Sequence, residues 1–185
     1  VIHSLPESKR DLRHAARGQL IWLGFGPLAP ATWISPHDRP AELEYICDEL
    51  GVRAHVESFS GMALHSSSDR ALVERCWDLP ALEAEYRAFV ERHRPEYEAC
   101  RALSAEQLSH SADTCFTRRF WITQAYLPFP RKDPGLPIAL LPPSWAGFGA
   151  QRLFDDYRRL LEPYANQFVD EVMRRETLMS AEAVL

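Results

Sequence analysis

Apolar residues recur along the first third of this chain in two rhythms. Val1 to Leu5 read as a short strand, and Pro6 suits the first turn of a helix, where a missing N–H costs nothing. From there Leu12, Ala15, Ala16 and Leu20 share one helical face, with Gly24 as the stop. Residues 25–28 and 31–35 then form two short strands joined through Ala29-Pro30. Asp38 is a fitting N-cap for a second helix in which Leu43, Ile46, Cys47 and Leu50 follow i, i+3, i+4, i+7, and Gly51 closes it. "RAHVESF", residues 53–59, alternates in the period of a strand. The predicted order is β-α-β-β-α-β, the ferredoxin-like arrangement.

Inside this half, "GFGPLAPATWISPHD" (24–38) tests the reading, because paired glycines suggest a phosphate-cradling loop. A dinucleotide fingerprint needs a third glycine opening a helix. Pro27 and Pro30 forbid that helix, while Trp33 and Ile34 favour a strand. The stretch is read as a hairpin corner.

After a polar connection, "SGMALHSSSD", the pattern becomes helical only. Residues 69–77 give a short helix. A longer one from Asp78 carries Leu82, Tyr86, Phe89, Val90 and His93 inward and is expected to kink or break at Pro95. "SAEQ" (104–107) is a capping box opening a helix that runs to about Leu127. The proline-rich 129–145 is expected to be an irregular, partly buried crossing with at most one helical turn. The tail holds one or two helices with Leu153, Phe154, Tyr157, Leu160 and Leu161 inward and a break near Pro163. The fold class is α+β: a ferredoxin-like βαββαβ domain over 1–60, a linker over 61–68, and an all-helical domain over 69–185.

Charge narrows the function. The net charge of −5 means the chain as a whole is not a polyanion-binding surface. Cys47, Cys76, Cys100 and Cys115 lie far apart with no C-x-x-C pair, and three fall on apolar helix stripes. They read as reduced, buried thiols of a cytoplasmic protein. No run is long and apolar enough to span a membrane.

Three stretches in order, "WLGFGPLAPATWISP", "CWDLPALEAEYRAF" and "FPRKDPGLPIALLPPSW", resemble the PaaX-type repressors of phenylacetate degradation. The resemblance implies a winged-helix DNA-binding domain ahead of a ferredoxin-like middle domain and a helical C-terminal domain. This sequence matches the last two. Its start at "VIHSL", without methionine, leads us to expect that the DNA-reading domain is absent from this chain. The resemblance further implies a homodimer and an inducer that is an aryl-CoA thioester, typically phenylacetyl-CoA. It implies no enzymatic activity and no cofactor.

The ligand candidates lie in 118–145. Arg118, Arg119, Arg131 and Lys132 oppose only Asp133 locally, and guanidinium forks and an ammonium group suit the phosphates of coenzyme A. Trp121 and Trp145 could cover an aryl or adenine ring. The competing reading is that these arginines pair with carboxylates and brace helices. Asp133 is expected to brace the "DPG" turn, Asp78 to cap a helix, and Tyr86 and Trp77 to be core. The ferredoxin-like domain also resembles a small CRISPR-associated nuclease fold, which needs a metal-binding aspartate at the end of its first strand. Ser4 stands there, a poor magnesium ligand, so no metal site is assigned. "HSSSD" (65–69) is explained by Ser68 or Asp69 capping the next helix, with no need of a catalytic role. Two rivals to the effector-sensing reading remain: a purely structural or dimerisation module, and a metal-dependent nuclease.

Overall fold

A computed structural model describes residues 1–5, 10–61 and 68–182. The chain divides into two compact units: Val1–Leu82 with Pro128–Ser144, and Glu83–Leu127 with Trp145–Leu185.

The first unit is built on four antiparallel strands, β1 (Ile2–His3), β2 (Gly26–Ala29), β3 (Thr32–Ile34) and β4 (Val56–Glu57), in the order β2-β3-β1-β4. Its helices are α1 (Arg10–Trp22), α2 (Pro40–Glu49) and α3 (Asp69–Cys76). Both glycine stops end their helices as the sequence predicts. The Phe25 N–H reaches the Leu20 carbonyl and the Gly24 N–H that of Ile21, with Gly24 at φ +84°. Val52 to Cys47 and Gly51 to Asp48 repeat this paired capping, with Gly51 at φ +61°. Leu20, Leu23, Phe25, Trp33, Ile46 and Val52 form the heart of the core beneath the sheet.

Three local expectations change. Helix α2 starts at Pro40 with Arg39 as N-cap, so Asp38 does not cap it; proline at the first turn supplies the φ and needs no side-chain acceptor for its own nitrogen. The strand expected over 53–59 is only Val56–Glu57, preceded by a 3-10 turn at Arg53–His55. Its partner β1 offers only two residues, Ile2 against Glu57 and His3 against Val56, so the ladder stops and Phe59 stands exposed. The proposed linker 61–68 falls largely on residues 62–67, and Pro6 on 6–9, outside the described residues.

Gly26 has a steric reason. A Cβ there would lie 2.6 Å from Trp77 Cε2 and 2.8 Å from Cys76 Cβ, so only glycine lets α3 lie on β2. Residues 128–144 also return to this unit through α7 (Phe129–Lys132), the single helical turn expected there, and a 3-10 turn at Ile138–Leu140. His37 Nε2 lies 3.1 Å from the Pro134 carbonyl and 2.8 Å from that of Gly135. Facing acceptors only, this nitrogen carries the proton. Asp133 Oδ1 accepts the Gly135 N–H at 2.8 Å, bracing the "DPG" turn as expected.

The second unit is helical: α4 (Leu79–Arg101, from Glu83 onward), α5 (Ala105–His110), α6 (Ala112–Tyr126) and α8 (Ala146–Glu182). The capping box forms in full: Ser104 Oγ accepts the Gln107 N–H, and Gln107 Oε1 accepts the Ser104 N–H. The helix it opens is interrupted at Ser111, so one expected helix is two. Pro95 and Pro163 do not break α4 and α8. Both prolines are exposed, while Tyr157, Leu161 and Ala165 are buried to either side of Pro163, and that packing outweighs the lost backbone bond. Helices α6 and α8 pack along each other, and Tyr126 stacks on Phe154 with ring centroids 4.0 Å apart. All four cysteines are free and buried.

Candidate functional site

The residues selected from the sequence fall into both units. Arg118 and Arg119 are neighbours on α6 of the second unit; Arg131 and Lys132 share the single turn of α7 in the first. Arg118 Nη1 donates to Cys100 Sγ at 2.8 Å, and that sulfur lies 3.6 Å from the Tyr157 hydroxyl. Cys100 and Tyr157 are fully buried. Burial first, and then the Cys100 sulfur, push the Tyr157 phenol well above its usual range, so it stays protonated. Arg119 Nη2 donates to Glu162 Oε1 at 3.0 Å. Both α6 arginines therefore already hold protein groups. Arg131 and Lys132 are exposed on the turn of α7.

The two tryptophans also differ. Trp121 is 61% exposed, with Phe120 packed edge-on at 5.2 Å. Trp145 is buried, edge-on to Tyr86 at 5.7 Å. A Cβ on Gly147 would press on the Trp145 ring and lie 3.0 Å from Tyr86, so the ring is held by close packing. Asp78 takes its expected part, Oδ1 accepting the Ala81 N–H at 3.0 Å, and Tyr86 is core. Trp77, expected as core, is half-buried.

Among the cavities of the described residues, two are lined by several charged side chains. One, of about 400 Å³, runs along α8, where Arg152 and Arg159 alternate with Asp155 and Asp156, so its charge is internally balanced. The other, of about 640 Å³, lies within the first unit between α1, β1 and the β2–β3 turn. Arg10, Arg13, His14 and Arg17 come from one face of α1, His3 from β1 and Trp33 from β3. No described lining residue is acidic. The Arg17 guanidinium sits 5.9 Å from the Trp33 ring centroid, a cation–π placement. Burial, and then the charge of Arg13, lower the His3 pKa. His3 Nδ1 and Trp33 Nε1 are buried without a hydrogen-bond partner.

This basic row was not singled out from the sequence, yet its signal is there. Arg10, Arg13, His14 and Arg17 stand at i, i+3, i+4 and i+7, flanking the buried stripe of Ala16 and Leu20.

Ser4 follows β1 and is exposed, and among the described residues no three His, Cys, Asp or Glu side chains form a metal-binding group. Of "HSSSD", residues 65–67 lie outside the described residues; Ser68 caps α3 by accepting the Ala71 N–H at 3.4 Å. No described helix is long and apolar enough to cross a membrane.

A small antiparallel sheet carrying its own helices, joined to a helical unit, makes this an α+β protein of two compact parts. Residues 1–73 match the family described as the PaaX protein central Cas2-like domain, and residues 77–171 the PaaX-like protein C-terminal domain. The chain is 35% identical over 156 residues to the transcriptional repressor PaaX of Escherichia coli (strain K12), covering 83% of this chain and 48% of that protein. The chain belongs to the PaaX family. It spans about half the length of that relative. Its fold is shared with the uncharacterized protein Rv0674 from Mycobacterium tuberculosis, with a TM-score of 0.62 at 19% identity, covering 90% of this chain and 60% of that one.

Proposed function

We propose that this chain is the effector-sensing and dimerisation portion of a PaaX-type transcriptional repressor, and that its effector is an aryl-CoA thioester such as phenylacetyl-CoA. The observation that carries the reading is the ordered match of both PaaX regions, together with the similarity to a transcriptional repressor. The protein acts as a regulator, not an enzyme, and works in the cytoplasm as a homodimer. A winged-helix domain outside this chain reads the operator. The ferredoxin-like assignment of the first unit belongs to the same reading, supported by its β-α-β-β-α-β order and its β2-β3-β1-β4 sheet. Effector binding favours one arrangement of the dimer, and the attached reading domains then no longer match the spacing of two half-sites.

Among the residues selected from the sequence, the exposure of Arg131 and Trp121 supports a part in meeting solvent-borne groups; Lys132 is exposed beside Arg131. Arg118, Arg119 and Trp145 would have to exchange or keep the partners described above. A melting series with phenylacetyl-CoA, coenzyme A and phenylacetate tests the reading. At a hundredfold excess over its dissociation constant the effector stabilises the folded chain by about 2.7 kcal/mol. For a chain of this length that is a rise in Tm of about 5–10 °C. Phenylacetate, lacking phosphates, gives far less. If no thioester shifts the melting temperature, the chain is a structural module instead.

A further inference from the structure

We propose that the face of α8 around Val172 and Met173, with Phe116 and Phe120 of α6 beside it, is the surface on which two copies of this chain pair, their α8 helices running antiparallel. Ala165 is the last buried residue among the described side chains of α8, yet the helix runs on to Glu182, about 25 Å further. A free helix of that length is marginal in water and gains stability from a covering partner. Along it Val169, Val172 and Met173 stand exposed. Phe168, four residues before Val172, meets Phe116 of α6 with ring centroids 5.3 Å apart, and Phe120 lies one turn along α6. Phe116 and Phe120 are exposed as well, so the apolar face spans both helices within the second unit. Faces of this kind mark interaction sites.

The charges around this face select the partner. Asp170 and Glu171 come directly before Val172 and Met173, and Arg174 and Arg175 directly after them, so the run reads acid, apolar, base. Turned end for end about a two-fold axis between Val172 and Met173, it sets Asp170 and Glu171 of each copy towards Arg175 and Arg174 of the other. Parallel pairing would set like against like, which costs affinity. A two-fold contact uses one patch twice, so the patch must complement itself, and this run does. Glu171 Oε1 accepts from Gln167 Nε2 at 3.2 Å, which fixes that carboxylate, and both arginines are exposed. This surface rests on the homodimer proposed above; the homodimer does not rest on this surface.

Sedimentation equilibrium of the chain at micromolar concentrations tests the surface. We expect a dimer, and Val172→Glu with Met173→Glu together to weaken it at least tenfold. Tyr45→Glu, a charge added on the exposed side of α2, changes nothing. Arg174→Glu with Arg175→Glu makes the run wholly acidic, and Asp170→Arg with Glu171→Arg makes it wholly basic. Each of these proteins alone should lose at least tenfold in dimer affinity, and an equal mixture of the two should recover it. Pairing along a single helix stays lost in both, so recovery reports contact between copies. Under a mild oxidant Met173→Cys should cross-link the copies and Thr177→Cys should not, because antiparallel pairing carries Thr177 away from the axis in both. Melting curves of each variant confirm folding. A monomeric parent overturns this surface and the homodimer reading together. A dimer indifferent to Val172→Glu with Met173→Glu leaves the homodimer standing and overturns the surface. Charge variants that do not recover on mixing overturn the charge pairing, and cross-linking through Thr177→Cys overturns the antiparallel direction.

Discussion

Replacing Arg118 with alanine separates bracing from ligand binding most sharply. In the unliganded chain its guanidinium donates to Cys100 Sγ at 2.8 Å, and the same sulfur adjoins the Tyr157 hydroxyl in a fully buried position. A hydrogen bond from a charged donor contributes about 1.5–3 kcal/mol. The sulfur acceptor and the half-exposed guanidinium place this one at the lower end. A loss of about 1.5 kcal/mol, at about 2–4 °C per kcal/mol for this size, lowers Tm by about 3–6 °C. Arg131→Ala, on the exposed turn of α7, should stay within about 0.5 kcal/mol of the parent. Thermal and urea unfolding, followed by far-ultraviolet circular dichroism without ligand, measures both. An Arg118→Ala protein melting within 1 °C of the parent would refute the bracing argument, and a Cys100→Ala protein that then responds to Arg118→Ala as the parent does would refute the partner.

Gly26→Ala should destabilise the first unit by about 1–3 kcal/mol, because the new methyl meets Trp77 and Cys76; an unchanged urea midpoint contradicts this. Ser104→Ala removes half of the capping box and should cost about 1 kcal/mol, read as the same midpoint shift, with Ser104→Asp recovering most of it. His93 is buried against Phe89, 3.8 Å from Glu96, and burial lowers its pKa, with Glu96 opposing and Arg92 adding to the effect. The unfolded chain therefore takes up the proton first. This contribution to stability is complete above about pH 6.5 and is lost as the pH falls below it. The difference in Tm between the parent and His93→Gln should change across that interval, and a pH-independent difference would contradict the assignment.

Elements whose signals are local were legible in the sequence. Gly24 and Gly51 end helices because each position needs a positive φ, and Ser104 with Gln107 needs only four residues to form its box. Where distant packing decides, the pattern misled. Pro95 and Pro163 are strong breakers in isolation, but both face solvent on helices whose other faces are buried. The alternation of 53–59 was real, yet a two-residue β1 could pair with only two of those positions. The basic cluster at 118–132 was visible as composition. Composition could not show that Arg118 and Arg119 point at Cys100 and Glu162. The row on α1 obeys the helical period as well, but it borders the apolar stripe of Ala16 and Leu20, so the apolar pattern alone did not mark it.

The clasp of His37 on the Pro134 and Gly135 carbonyls bears on how the protein is made. Because 128–144 belongs with the sheet, that unit lacks a piece of its own wall until residue 144 has left the ribosome, by which time α4, α5 and α6 have all been synthesised. Through that interval Gly24, which abuts the Pro134 carbonyl in the finished fold, and the ring of His37 wait uncovered. A fragment cut at the family boundary between 73 and 77 would lack that piece of wall permanently, and should leave both positions uncovered.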